Sequence, residues 1–281
     1  MTRYEKIARG AAGVVLGGIL TGCAGAGSHL NATNGQDTSV QTAAGSTAPA
    51  PTLIDPETGM EFVQVQGGCF NMGNDAGEVK QRPRHEVCVD SFYMGRHEVT
   101  QAAWQKIMGT NVSQFAACGP DCPVENVSWN DVQNYLKQLN ARTGVAYRLP
   151  TEAEWEFAAR SGGRDEAWAG TASESQLAEY AWFEQNSGAT THKVGQKKAN
   201  GLGLYDMSGN VYEWCQDLYG ETYYQSSPKD NPTGATGGDN RVLRGGSWAD
   251  PAVAQRTDDR GRDEAGGTSP SNGFRLLRPL K

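Results

Sequence analysis

Two runs of the sequence carry side chains that could do chemistry. In "DMSGNVYE", Asp206 to Glu213, two carboxylates bracket a turn where Gly209 and Val211 can present backbone carbonyls. Hard oxygen donors spread over a turn suit Ca²⁺, which accepts mixed carboxylate and carbonyl coordination. The competing reading is that Asp206 caps the turn and Glu213 pairs with an arginine, Arg241 or Arg244. In "RGGSWADPAVAQR", Arg244 to Arg256, two glycines and a tryptophan form the rim of a site. Tyr212, Ser247, Trp248 and Asp250 are the candidate ligand groove, fitted to a peptide or small molecule. That run holds no cysteine, histidine or lysine, and Ser247 has no histidine partner in sequence, so a serine hydrolase is not supported.

Other reactive residues are few. Outside the N-terminal segment the histidines are His85, His97 and His192, and their spacing builds no two-histidine, one-carboxylate set for iron. Arg148, Arg160, Arg244 and Arg275 read as internal ion pairs rather than substrate clamps.

These groups must be held by a loop-rich scaffold. The chain has 281 residues with 36 glycines, which points to many turns and not to a helical bundle. Strands are expected around Phe62, Val63 and Val65, with a turn at Gly67-Gly68, and again around Val87, Val89 and Phe92. Thr100 can cap a helix over "QAAWQKIM" that stops at Gly109. Ser128 heads a second, with Val132, Tyr135, Leu136 and Leu139 at helical spacing. In "LPTEAEWEFAARSGG", Thr151 and Glu154 form a capping box, and Gly162-Gly163 ends the run. From Gly170 onward almost no helical period remains. The expected class is α+β, irregular, with few helices and long loops of the kind that are functional or pinned.

The N-terminus reads as a leader. Arg3, Lys6 and Arg9 precede the short apolar run "AAGVVLGGIL", too short and glycine-rich for a stable membrane span. It ends in "LTGC", which resembles the lipobox of bacterial lipoproteins. That resemblance implies a signal peptide over residues 1–22, lipidation of Cys23, and sorting to the outer membrane facing the periplasm, since Ala24 follows. Residues 23–52, rich in Gly, Ala, Ser and Thr, form a flexible tether, and the folded domain is expected over 53–281. Removing 1–22 leaves 22 basic and 31 acidic residues, a net charge of −9 against −7 for the whole chain. An acidic chain without a Lys/Arg cluster is not built to track nucleic acid. The expected partners are the membrane, through the anchor, and a protein or peptide of the envelope.

An exported chain meets an oxidising compartment, so five cysteines besides Cys23 can make at most two bridges. Cys118 and Cys122 flank a "GPD" turn, and Cys69 and Cys88 sit in adjacent strand-like segments. A four-cysteine zinc site is the rival arrangement. Cys215 is then the odd thiol, expected to be packing.

Seven motifs fall in order between Gly67 and Arg275: "GGCFNMG", "HEVCVDSFYMGRHEVT", "CPVENVSWNDV", "YRLPTEAEWEFAAR", "GLYDMSGNVYEW", "RVLRGGSW" and "GFR". Together they resemble the formylglycine-generating-enzyme, or sulfatase-modifying-factor, family. The resemblance implies an irregular α+β fold related to C-type lectins and a structural calcium at Asp206, Gly209, Val211 and Glu213. A second calcium site of the family, between Ala181 and Val194, finds no clear match. The family's enzymes oxidise a sulfatase cysteine to formylglycine with oxygen and copper on two thiolates. Those two positions fall here on Asp250 and Gln255. A carboxylate and an amide are poor ligands for Cu(I), and Cys215 alone could not make the pair. The reading is a membrane-anchored binding, accessory or maturation module without copper chemistry. The alternative is a divergent metal-dependent oxidoreductase of the formylglycine-generating or siderophore-maturation type.

Overall fold

The computed structural model describes residues 51–280. The expected signal peptide, Cys23 and all but the last two residues of the expected tether lie outside them. The first strand, β1 (Thr52–Ile54), starts one residue ahead of the expected domain boundary. It pairs with β2 (Glu61–Val65), whose Phe62 packs into one core and whose Val63 and Val65, on the opposite face, pack into the other. β2 pairs in turn with β5 (Phe92–Gly95), and β5 with the last strand of the chain, β10 (Leu277–Pro279), closing an antiparallel four-stranded sheet.

Between β2 and β5 the chain makes a separate hairpin, β3 (Gly68–Met72) and β4 (His85–Val89), in which Cys69 faces Cys88 directly. That register places the two sulfurs for the first disulfide, and Cys118–Cys122 closes the "GPD" turn as the second. With all four cysteines bridged, the zinc arrangement falls away; among the described residues Cys215 is a free, buried thiol.

The three expected helices form. α1 (Gln101–Met108) is capped by Thr100, whose hydroxyl accepts from Ala103 N, and ends at Gly109 with φ 82°. α2 (Trp129–Thr143) is headed by Ser128 and closed by Gly144 in the left-handed region. Its Val132, Tyr135, Leu136 and Leu139 pack on α1, with the Tyr135 ring stacked on Trp104 at 5.3 Å. α3 (Glu152–Ala159) has the capping box: Glu154 N donates to Thr151 Oγ1 at 3.2 Å and Thr151 N to Glu154 Oε2 at 2.8 Å. Unlike α1 and α2, α3 is buried at all eight positions, glutamates included.

After Gly170 regular structure thins, as the missing period implied. A single turn, α4 (Leu177–Tyr180), is followed by loops and then by the second four-stranded sheet. In it β6 (Tyr212–Leu218) pairs antiparallel with β7 (Asn240–Arg244) and parallel with β9 (Asn272–Gly273), while β8 (Gly261–Glu264) pairs with β7 at the sheet's edge. β6 runs along α3 and carries Trp214 and Cys215 into two adjoining cores, so the loops at its ends are fixed by packing on both sides.

Candidate functional site: a cleft beside β6 and a cation-poor turn

The positions singled out in the sequence hang from a frame of buried ion pairs. Each glutamate of α3 meets a guanidinium: Arg148 lies just ahead of the helix and Arg160 just after it, while Arg244 and Arg260 come from a distant segment. Glu152 takes Arg260 (Nε–Oε1 2.6 Å, Nη2–Oε2 2.7 Å), and Glu154 takes Arg148 in a fork of two 2.7 Å bonds. Glu156 is shared by Arg160, at 2.9 Å, and by Arg244. Glu213 on β6 accepts a matching fork from Arg275, both bonds 2.6 Å, and a third bond from Trp155 Nε1 at 2.7 Å. The four arginines are therefore internal partners, as expected. The named partner of Glu213 needs correction: it is Arg275, because Glu213 and Gly273 are register neighbours and bring the "GFR" arginine alongside. Arg244 goes to Glu156 instead, and Arg241 stacks over the Trp129 ring at 3.7 Å.

From β7 the chain turns through Gly245 and Gly246, both at positive φ. A Cβ on Gly246 would lie 2.5 Å from Gln255 Oε1, so no side chain fits there without moving Gln255. Gln255 is fully buried and donates its amide to the carbonyls of Ser247 and Asp250, 3.1 Å each. Ser247, equally buried, gives its hydroxyl to the Asp250 carboxylate. Positions 250 and 255 thus face one another as hydrogen-bonding residues that brace the loop.

Next to this loop lies a cleft of about 330 Å³ whose walls include Tyr212, Asp250, Ala249, Arg262, Asp263 and Asn272. Of the four candidate groove residues, Tyr212 and Asp250 line it. Ser247 is spent beneath the floor, and Trp248 turns aside to meet Phe115 edge-on at 5.2 Å while its Nε1 donates to Pro270 O. Burial, then the charges of Asp250 and Asp259, push the Tyr212 phenol up; burial also raises the Asp250 carboxyl. The cleft is acidic, and Arg262 is drawn over the Tyr219 ring at 4.9 Å.

The "DMSGNVYE" turn is tied to the same loop, since Gly209 N donates to Gly245 O and Trp248 N to Asn210 O. Asp206 sits in the left-handed region at φ 56°. Its Oδ2 accepts from Gly195 N at 2.7 Å, but its buried Oδ1 has no partner among the described residues. Glu98, a residue the sequence reading passed over, is buried beside it, accepting from Asn210 Nδ2 at 2.7 Å and Val211 N at 3.0 Å. Burial and the neighbouring carboxylates push Glu98 well above the usual carboxylate range, and burial lifts Asp206 to about 6. An orphaned buried carboxylate oxygen among like charges is the donor a hard cation needs. The fit is good at Asp206 and poorer at Glu213, whose oxygens are already engaged by Arg275 and Trp155. Among the described residues no cluster of three or more His, Cys, Asp or Glu side chains has metal-holding geometry, so a cation here would draw on backbone carbonyls such as those of Gly209 and Val211.

The histidines are not brought together. His85 packs on Tyr224, His97 on Tyr205, and His192 on Trp182 at 3.8 Å with its Nε2 on Ser187 O.

A buried ion-paired α3, the Gly-Gly-Ser-Trp loop and the turn beside it define the class of protein. Residues 50–280 match the family described as Sulfatase-modifying factor enzyme 1-like domain, and the chain belongs to it. The chaperone protein LppX of Paenibacillus barcinonensis is 29% identical over 268 residues, 78% of this chain and 89% of its own. The formylglycine-generating enzyme of Streptomyces coelicolor is 40% identical over 140 residues, 46% of this chain and 43% of its own. Of other curated relatives the chain spans 38% of their length. Among solved structures, Treponema denticola variable protein 1 superposes with a TM-score of 0.76 at 30% identity, over 83% of this chain and all of that one. No helix among the described residues is long and apolar enough to cross a membrane.

Proposed function

We propose that this protein is a binding or accessory module of the bacterial envelope, tethered through lipidated Cys23 and lacking copper-dependent oxidase chemistry. One observation carries the reading: the two copper-ligand positions of the family hold Asp250 and Gln255. Gln255 is buried and commits its amide to the loop backbone, and the Asp250 carboxylate is held by Ser247. Neither offers the soft thiolate that Cu(I) prefers. The chaperone name of the LppX relative and its near-complete coverage support an accessory role.

The ligand, a protein segment or small molecule, would enter the cleft between Tyr212 and Asp250. Calcium on Asp206, with carbonyls of the same turn and Glu213, would fix the turn against that cleft and supply charge balance.

The test is direct. The purified protein, loaded with Cu(I) and given a sulfatase-type cysteine peptide, should consume no oxygen and leave the peptide mass unchanged. Aldehyde formation would restore the oxidoreductase reading. For the anchor, Cys23→Ser should move the protein from the membrane to the soluble fraction, and retention on the membrane would refute it.

A further inference from the structure

The cleft beside β6 carries a charge and a shape that narrow what it can hold. On β8, Gly261 faces Leu243 in register and lies against the Tyr212 ring. A Cβ there would sit 3.2 Å from Leu243 Cβ and 3.3 Å from Tyr212 Cε1, so a larger residue would fill the space between them. Glycine in a strand at such a place lets a ligand come close to the backbone.

Asp250 and Asp263 both line the cleft, and among the described residues their hydrogen-bonding partners are neutral. Ser247 Oγ donates to Asp250 Oδ2. Asp263 accepts from Glu264 N at 2.8 Å and from Asn272 Nδ2 at 3.1 Å. The lining has one cation among the described residues, Arg262, and it stands between Gly261 and Asp263 on the strand. Strand alternation sends its side chain to the opposite face, where the guanidinium lies over Tyr219.

Nearby Asp259 is offset by Lys80 at 2.8 Å, so the charges left without a counterpart are those of Asp250 and Asp263. Burial, with Asp259 and Glu184 of the same sign, pushes the Asp250 carboxyl up, a cost that an arriving cation removes. The space is far larger than a bare ion, at about 330 Å³, and part of its lining is Leu243, Ala249 and the Tyr212 ring. Apolar and aromatic surface beside unpaired carboxylates suits an alkyl stem that ends in a positive head.

We infer that the cleft takes an organic cation, the ammonium or guanidinium head of an alkyl chain, with the head at Asp250 and Asp263 and the stem along Tyr212, Leu243 and Ala249. The inference rests on the binding reading above and gives its ligand a chemical class.

NMR titration of the ¹⁵N-labelled full-length protein tests it, with the amides of Ala249, Asp263 and Asn272 as reporters. The probes are a capped tripeptide with a central lysine, its arginine, glutamine and glutamate counterparts, and n-butylamine. The lysine or arginine peptide should shift the reporters saturably, and the glutamine and glutamate peptides should bind at least about tenfold more weakly. Tighter binding of the peptide than of butylamine would assign the cation to a protein side chain, and equal binding to a free amine. Asp250→Asn, which keeps an oxygen for Ser247 but loses the charge, should weaken the lysine peptide about tenfold; Asp263→Asn answers the same question should that variant fold poorly. Asp165→Asn, which removes an equal charge from an 80% exposed side chain outside the cleft, should leave binding unchanged. The inference is overturned, with the cleft still a binding site, if the glutamine or glutamate peptide binds as well as the lysine one. It is overturned too if both cleft variants bind like the parent or if Asp165→Asn weakens binding equally. Reporters that no probe shifts would sink the inference and the cleft reading together.

Discussion

Around α3, three buried glutamates face Arg148, Arg160, Arg244 and Arg260, and every carboxylate has a guanidinium within bonding distance. Around the Asp206–Glu213 turn, Glu98, Asp206 and Glu213 are just as deeply buried but share Arg275, with partly exposed Lys197 at a remove. The three glutamates of the first cluster are each paired and hold segments together, while Asp217 beside them, which accepts from Glu152 N, is pushed well up by burial and by Glu152. The second has more negative groups than cations, and it answers by pushing two of its carboxyls toward the neutral form. Equal burial therefore has two outcomes: where partners are supplied the charges become scaffold, and where they are short the place is left receptive to a cation.

Three measurements can break or sharpen this contrast. The largest effect is expected in the first cluster. Glu156→Gln leaves Arg160 and Arg244 buried without their shared carboxylate, a loss of about 3–5 kcal/mol in urea unfolding. A change under about 1 kcal/mol would show that the arginines find other acceptors, and the contrast would dissolve.

The next effect belongs to the second cluster. Calcium at a hundredfold excess over its Kd should add about 2.7 kcal/mol, so a chelator should lower Tm. Asp206→Asn, which removes the charge of the carboxylate with the orphaned oxygen, should erase that sensitivity. Identical melting curves with and without chelator would leave the charge deficit to be met by protonation alone.

The smallest effect concerns pH. Burial, reinforced by Arg275 and Arg96, holds His97 at about 4 against an ordinary 6.5. Between those values the unfolded chain takes up a proton that the folded protein refuses, so His97's contribution is intact above pH 6.5 and is lost as pH falls toward 4. With its partial exposure discounted, the loss is about 2 kcal/mol. Wild type and His97→Gln should converge in stability at neutral pH and separate on acidification; parallel curves would show that His97 is solvated.

Much of this was legible beforehand. Thr100, Ser128 and Thr151 announce three helices because a cap acts through its own neighbours, and the Cys69–Cys88 pair follows from two adjacent strands. The arginines could be assigned to the interior but not to their partners. Glu213 meets Arg275 across 62 residues through a parallel strand pair that no local pattern reveals. Glu98 was invisible for a related reason: in "RHEVT" it looks like any surface charge, and its burial comes from Asn210 and Val211 more than 100 residues away. Of the candidate groove residues, Tyr212 and Asp250 line one cleft. Ser247 and Trp248 do not line it, because the positive φ of Gly245 and Gly246 turns the backbone under and around the cleft.

The total enclosure of α3 has a consequence for how this protein can change over time. The segments that wall the cleft are secured from beneath, by Arg244 and Arg260 before and after the loop, and not by the side chains that look outward. Positions such as Ala249 and Arg262 can then be exchanged for others with little harm to folding. The surface can vary by point replacement while its foundations stay put.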